Sequence, residues 1–197
     1  MYFLGLDLGQ KRDPAALAVV EKTPELKLMA RYVERAPLGT PYPRVVDWVR
    51  RVATNRQVSG RCDLAVDATG VGAPVVEMLR AAQLGCDIAA VTITGGDKET
   101  QSGGMWNVPK RDLMAGLQVA LENGDLMIAG AMREREALVR ELVDVQVRPR
   151  ESGRSRIGAD GEGEHDDLVI AVALAVWRAK KPRPRPNSFG QRHILSF

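Results

Sequence analysis

Hydrophobic and polar positions change period several times along the chain, and each change marks an element. Residues 2–8 are a short apolar run, the pattern of a strand covered on both faces and therefore central in its sheet. Apolar and β-branched residues around Val19-Val20 predict a second strand. Alternation of Leu26, Leu28, Ala30 and Tyr32 against Lys27, Met29, Arg31 and Val33 predicts a third. The connecting turns carry Pro14 and Pro24 and are short, so the three strands form an antiparallel meander. From Arg44 to Arg56 the period becomes helical, with Val45, Val46, Trp48, Val49 and Val52 on one face and Arg50, Arg51 and Arg56 on the other.

A fourth strand follows at about residues 63–68, then a turn through Gly70, Gly72 and Pro74, a helix carrying Val75 to Ala82, and a fifth strand from Ile88 to Thr94. Gly95 to Asn107 is polar and glycine-rich without periodicity, which predicts a mobile loop. Lys110 to Glu122 is an amphipathic helix stopped by Asn123-Gly124. A short strand at 125–128, a charged helix over Arg133–Leu142 and an edge strand at Val143–Val147 come next, leading into an arginine-rich hairpin loop at Arg148–Arg156. The last helix, from about Asp166 to Ala179, is apolar nearly all round, as in a helix packed hard on a sheet. Pro182, Pro184 and Pro186 forbid helix beyond it. With right-handed crossovers this order gives an α/β domain: a mixed central sheet of five or more strands, strand one central and strand four parallel beside it, and an extra hairpin before the last helix.

Composition narrows the class. The 197 residues, 45% hydrophobic and 27% charged, suit one globular domain with a sizeable core. No stretch approaches the roughly 20 apolar residues of a membrane span. Cys62 and Cys86 lack metal-ligand spacing and are expected as reduced thiols of a cytoplasmic protein. Net charge is +3, yet residues 178–197 hold six basic side chains and no acid, leaving the remainder at −3. The expected division is therefore a domain over 1–179 and a basic, proline-rich tail over 180–197, suited to nucleic acid or an acidic partner.

Three places combine a carboxylate with a buried setting. Asp7 sits within the first apolar run, Asp67 ends the fourth strand, and Asp166-Asp167 opens the last helix. Each has a plain reading: a turn cap for Asp7, a pre-turn residue for Asp67, and a helix cap for one of the pair. Together they read as a cluster, because ligand sites of open α/β sheets lie at the carboxyl ends of strands. Clustered carboxylates repel, and hard divalent cations resolve that repulsion; oxygen-only donors favour Mg²⁺ or Mn²⁺. Two such ions about 3.5–4 Å apart are the standard apparatus for phosphodiester cleavage. His165 reads as a neighbour of this cluster rather than a ligand. Lys110, Arg148, Arg150, Arg154 and Arg156 are candidate contacts to a nucleic-acid backbone. Gly70-Val71-Gly72 lacks the third glycine of a dinucleotide fingerprint, and the chain has no P-loop motif.

Gly5-Leu6-Asp7-Leu8-Gly9, Val66-Asp67-Ala68-Thr69-Gly70-Val71-Gly72 and His165-Asp166-Asp167-Leu168-Val169 resemble the nuclease domain of phage large terminase subunits, over about residues 1–179. The helix from Lys110 and its exit through Asn123-Gly124-Asp125-Leu126 is also similar to that family. The resemblance implies an RNase H-like fold shared with RuvC-type resolvases, and metal-dependent endonucleolytic cutting of double-stranded DNA during genome packaging in the cytoplasm of a bacterial host. It places the catalytic, metal-binding acids on Asp7, Asp67 and one of Asp166 or Asp167. It also implies partners: a terminase ATPase motor, a small terminase subunit or a portal. That family carries an N-terminal ATPase motor, so these 197 residues are expected to be either a nuclease domain of a longer chain or a free-standing relative. Two alternatives stay open, a structure-selective junction resolvase and a non-catalytic docking module of the same fold.

Overall fold

The first apolar run becomes strand β1 (Tyr2–Asp7), and it is interior to its sheet, as a strand apolar on both faces must be. The computed structural model describes residues 1–9, 13–70, 73–149, 155–158 and 166–182. β1 pairs antiparallel with β2 (Ala16–Lys22), which pairs antiparallel with β3 (Leu28–Arg35), giving the expected meander. The chain then crosses through helix α1 (Tyr42–Ala53) to β4 (Cys62–Asp67), parallel to β1 and beside it. Helix α2 (Ala73–Ala81) leads to β5 (Cys86–Thr94), parallel to β4.

The stretch expected as a mobile loop is instead a hairpin. β6 (Thr100–Ser102) and β7 (Met105–Pro109) pair through Gly103-Gly104, both at positive φ, the geometry of a two-residue hairpin turn. β7 also pairs parallel with β5, so its backbone groups are satisfied by extending the sheet. After α3 (Lys110–Glu122), β8 (Leu126–Ile128) pairs parallel with β3 and completes an eight-stranded mixed sheet in the order β6-β7-β5-β4-β1-β2-β3-β8. Helix α4 (Arg135–Asp144) continues through Val143, which is 73% exposed; the strand expected over Val143–Val147 begins only at Gln146. The expected hairpin follows as β9 (Gln146–Pro149) and β10 (Ser155–Gly158), a separate two-stranded sheet. The last helix is α5 (Asp167–Lys180).

The sheet divides the core in two. One face packs under α3, α4 and α5, the other under α1 and α2. α5 crosses directly over β1, and every residue from Asp167 to Ala179 is buried. This explains a glycine in mid-strand. A Cβ at Gly5 would stand 1.9 Å from the Ala171 carbonyl oxygen and 2.8 Å from the Ala175 amide nitrogen, so only glycine admits the helix at this distance. A buried ion pair, Arg178 to Asp63 at 3.1 Å, ties the last turn of α5 to the start of β4.

β3 departs from the expected alternation. Its register with β2 passes from Val19↔Tyr32 to Val20↔Ala30, leaving Arg31 as the extra residue of a β-bulge. The bulge reverses the phase of the strand. Leu28, Ala30 and Val33 therefore all enter the α5 core, and Tyr32 joins the α1 side.

The cysteines also differ from expectation. Cys62 and Cys86 are directly opposed on the parallel strands β4 and β5, with Cα atoms 5.1 Å apart, and they form a disulfide. Among the described residues no helix is long and apolar enough to cross a membrane.

Candidate active site

Asp7 and Asp67 are the last residues of β1 and β4, and these strands are parallel and in register up to Leu6↔Val66. Both carboxylates therefore leave the sheet at the same end, side by side. α5 begins at that end, which brings Asp166 and Asp167 to them. The four sequence-predicted acids thus share one electrostatic neighbourhood. Burial pushes the Asp7 carboxyl well above the usual carboxylate range, and Asp67, Asp167 and Asp166 push it further, while Lys110 pulls it down. Asp67 is also raised, by burial first, while the Thr69 hydroxyl and amide and the Lys110 ammonium pull it down. The Thr69 amide donates to Asp67 Oδ1 at 2.8 Å, and the Thr69 hydroxyl in turn accepts from the Ile93 amide, so the turn after β4 is pinned to β5.

The two aspartates of α5 have different surroundings. Asp166 occupies the N-cap position but makes no capping hydrogen bond. The amides that a cap would satisfy, those of Leu168 and Val169, instead donate to Oε2 of Glu141 on α4, at 3.0 and 3.3 Å. The half-buried Asp166 carboxylate is thereby released toward the site, where the Lys110 ammonium lies 2.6 Å from its Oδ2. Asp167 is 3% exposed, and its Oδ2 accepts from Arg35 Nε at 2.9 Å. Arg35 ends β3, and the bulge at Arg31 is what turns its side chain to the α5 face. Its guanidinium also meets Glu141 Oε1 and lies 3.8 Å from Glu134.

Lys110, expected at a nucleic-acid backbone, thus stands among the carboxylates, as the first residue of α3 after Pro109. Arg148 and Arg156 are directly opposed in the backbone of the β9–β10 hairpin. His165, Arg150 and Arg154 lie outside the described residues, as does most of the basic tail. Arg35 and Glu141 carry no signal in the linear sequence: one ends an ordinary strand and the other lies on a charged helix. A groove of about 830 Å³ beneath α1, lined by Tyr2, Tyr32, Trp48 and Arg61, contains none of the four acids.

The donor set fits a hard divalent cation. It is all carboxylate oxygen from three elements, and after burial it is the neighbouring carboxylates that push the Asp7 carboxyl up, a repulsion that a dication would relieve. Among the described residues no three such groups already stand close enough to enclose an ion.

No protein-family model matches the chain, and no curated protein matches it by sequence. Solved structures do match its fold. The large terminase nuclease from thermophilic phage G20c, with bound magnesium, superposes with a TM-score of 0.64 at 23% identity, covering 90% of this chain and 81% of that one. The large terminase nuclease domain of Thermus phage P74-26 gives 0.62 at 20% identity, covering 89% and 77%. The nuclease domain of the large terminase of bacteriophage SPP1, with bound manganese, gives 0.57 at 15% identity, covering 90% and 85%. This chain, with its eight-stranded mixed sheet flanked by helices, therefore has the RNase H-like fold seen in the nuclease domains of phage large terminases.

Proposed function

We propose that this chain is a divalent-metal-dependent endonuclease that cuts double-stranded DNA during phage genome packaging. One observation carries the reading: Asp7, Asp67, Asp166 and Asp167, from three separate elements, gather at one end of a sheet with this fold. Asp7 and Asp67 would hold the metal, with the third carboxylate drawn from Asp166 and Asp167. Mg²⁺ or Mn²⁺, most simply as two ions, would supply an activated water and charge stabilisation of the leaving oxygen. Asp7 and Asp67 orient that chemistry by ending two adjacent parallel strands, a rigid platform. Thr69 holds Asp67 in place. Lys110 offsets the acids' mutual repulsion and is positioned to meet a phosphate oxygen beside them.

In this reading residues 1–179 are the nuclease domain, and residues 180–197, with Arg148, Arg150, Arg154 and Arg156, grip the DNA backbone without reading sequence. A terminase motor, small subunit or portal would deliver the DNA. The test is incubation of the protein with linear duplex DNA in Mg²⁺, Mn²⁺ or EDTA. Internal cutting in either metal and none in EDTA is expected. Cutting that persists in EDTA, or a folded protein inert in both metals, contradicts the proposal.

A further inference from the structure

Arg35 and Glu141 form a brace behind the acids that the cluster itself does not explain. Five contacts define it. Arg35 Nε donates to Asp167, and its terminal nitrogens reach Glu141 and Glu134. Glu141 Oε2 then accepts from both free amides at the start of α5. The brace joins three elements, the end of β3, helix α4 and the first turn of α5, and that first turn carries both Asp166 and Asp167. Glu141 and Asp167 are buried, while Arg35 and Glu134 are partly exposed.

Two consequences follow. Because Glu141 caps α5 from outside, the Asp166 side chain is not consumed as a cap. Because Arg35 takes Oδ2 of Asp167, that carboxylate has a fixed orientation relative to Asp7, with its partial neutralisation lowering the repulsion in the cluster. We infer that Arg35 and Glu141 are positioning residues of the metal site: they set the angle and depth at which α5 presents Asp166 and Asp167 to Asp7 and Asp67. The inference rests on the nuclease reading above. Groups that orient metal-binding carboxylates from behind commonly matter about 10- to 100-fold in metal affinity.

At Arg35 charge and positioning predict opposite signs, which makes the inference testable on metal binding alone. Removing a cation beside four carboxylates should tighten a dication if charge were its whole contribution. Removing a brace should loosen it. Mn²⁺ binding to the full chain without DNA is measured by loss of the free-ion paramagnetic resonance signal, for wild type, Arg35→Met, Arg35→Lys and Glu141→Gln, with thermal melts beside it. Arg35→Met should weaken Mn²⁺ binding at least about 10-fold, and Arg35→Lys should recover little because it keeps the charge and loses the planar fork. Glu141→Gln keeps an oxygen for the α5 amides and loses the ion pair, so it should stay folded and still bind Mn²⁺ less well. In cleavage assays kcat should fall with KM for DNA unchanged. Arg35→Met or Glu141→Gln binding Mn²⁺ as tightly as wild type, whatever its melting point, overturns the inference and leaves the nuclease standing. Should Arg35→Met fail to fold, wild-type affinity in both Arg35→Lys and Glu141→Gln overturns it equally. A wild type that binds no Mn²⁺ removes the nuclease reading and this inference together.

Discussion

Ionising Asp7 works against burial and three neighbouring carboxylates, and that cost has a measurable pH dependence. Its carboxyl, like that of Asp67, binds a proton more tightly in the folded protein than in the unfolded chain, where the value is about 3.9. Between that value and the raised ones the folded state holds more protons, so these groups make the metal-free protein less stable as pH rises. Below the unfolded value both states are protonated and the effect vanishes. Asp7→Asn should therefore melt higher than wild type in EDTA at pH 7, with the difference shrinking towards pH 4. Mg²⁺ should raise the melting temperature of wild type and leave the variant unmoved. A variant that melts lower than wild type at pH 7 in EDTA would refute this account of Asp7. Gly5 is decided by sterics alone. Gly5→Ala places a methyl group on the α5 backbone and should cost at least the roughly 1–3 kcal/mol typical of overpacking, read by urea denaturation.

Among the elements, α5 does most to connect core and site, since its apolar flank is the centre of one core and its first turn carries two of the acids. Its far end is held by the buried Arg178–Asp63 pair. Arg178→Met removes the cation beside the buried Asp63 carboxylate and should cost about 3–5 kcal/mol. Adding Asp63→Asn, which removes that carboxylate's charge, should recover part of that loss in the same denaturation experiment. This level also shows what linear pattern can and cannot convey. The run Tyr2–Asp7, the meander, and the all-apolar last helix were legible because burial on both faces leaves no polar position to confuse the period. Asp7 and Asp67 drew notice for the converse reason, each interrupting a strand whose pattern calls for an apolar residue, and Asp166-Asp167 by opening an otherwise apolar helix. Arg35 was hidden because its orientation depends on the bulge at Arg31, which reverses the strand's phase and is set by pairing with β2. Glu141 was hidden because capping a helix from a distant element leaves no local signature. The β6–β7 hairpin was written in Gly103-Gly104 flanked by Gln101-Ser102 and Met105-Trp106, but its polar strands obscured the alternation that would have marked them.

Across the whole molecule, charge is separated. Residues 1–177 carry a net −3 and bring Asp7, Asp67, Asp166 and Asp167 to one end of the sheet, and the last twenty residues hold six cations. Repulsion of DNA by the acids would be offset by the tail acting on the phosphate backbone. Removing residues 183–197 takes away Arg183, Arg185 and Arg192, and should reduce the slope of log affinity against log salt by up to about 3 while leaving the melting temperature unchanged. An unaltered slope would release the tail from any part in binding.

The claim at the centre of this account is that acids from β1, β4 and α5 work as one metal site, and Asp67→Asn probes it with the smallest change in shape. Supercoiled plasmid is incubated with wild type and variant in Mg²⁺ and in Mn²⁺, after their melting curves have shown both to be folded. The account predicts open-circular and linear products from wild type in either metal and intact supercoiled DNA with the variant. Equal cutting by both proteins would contradict it.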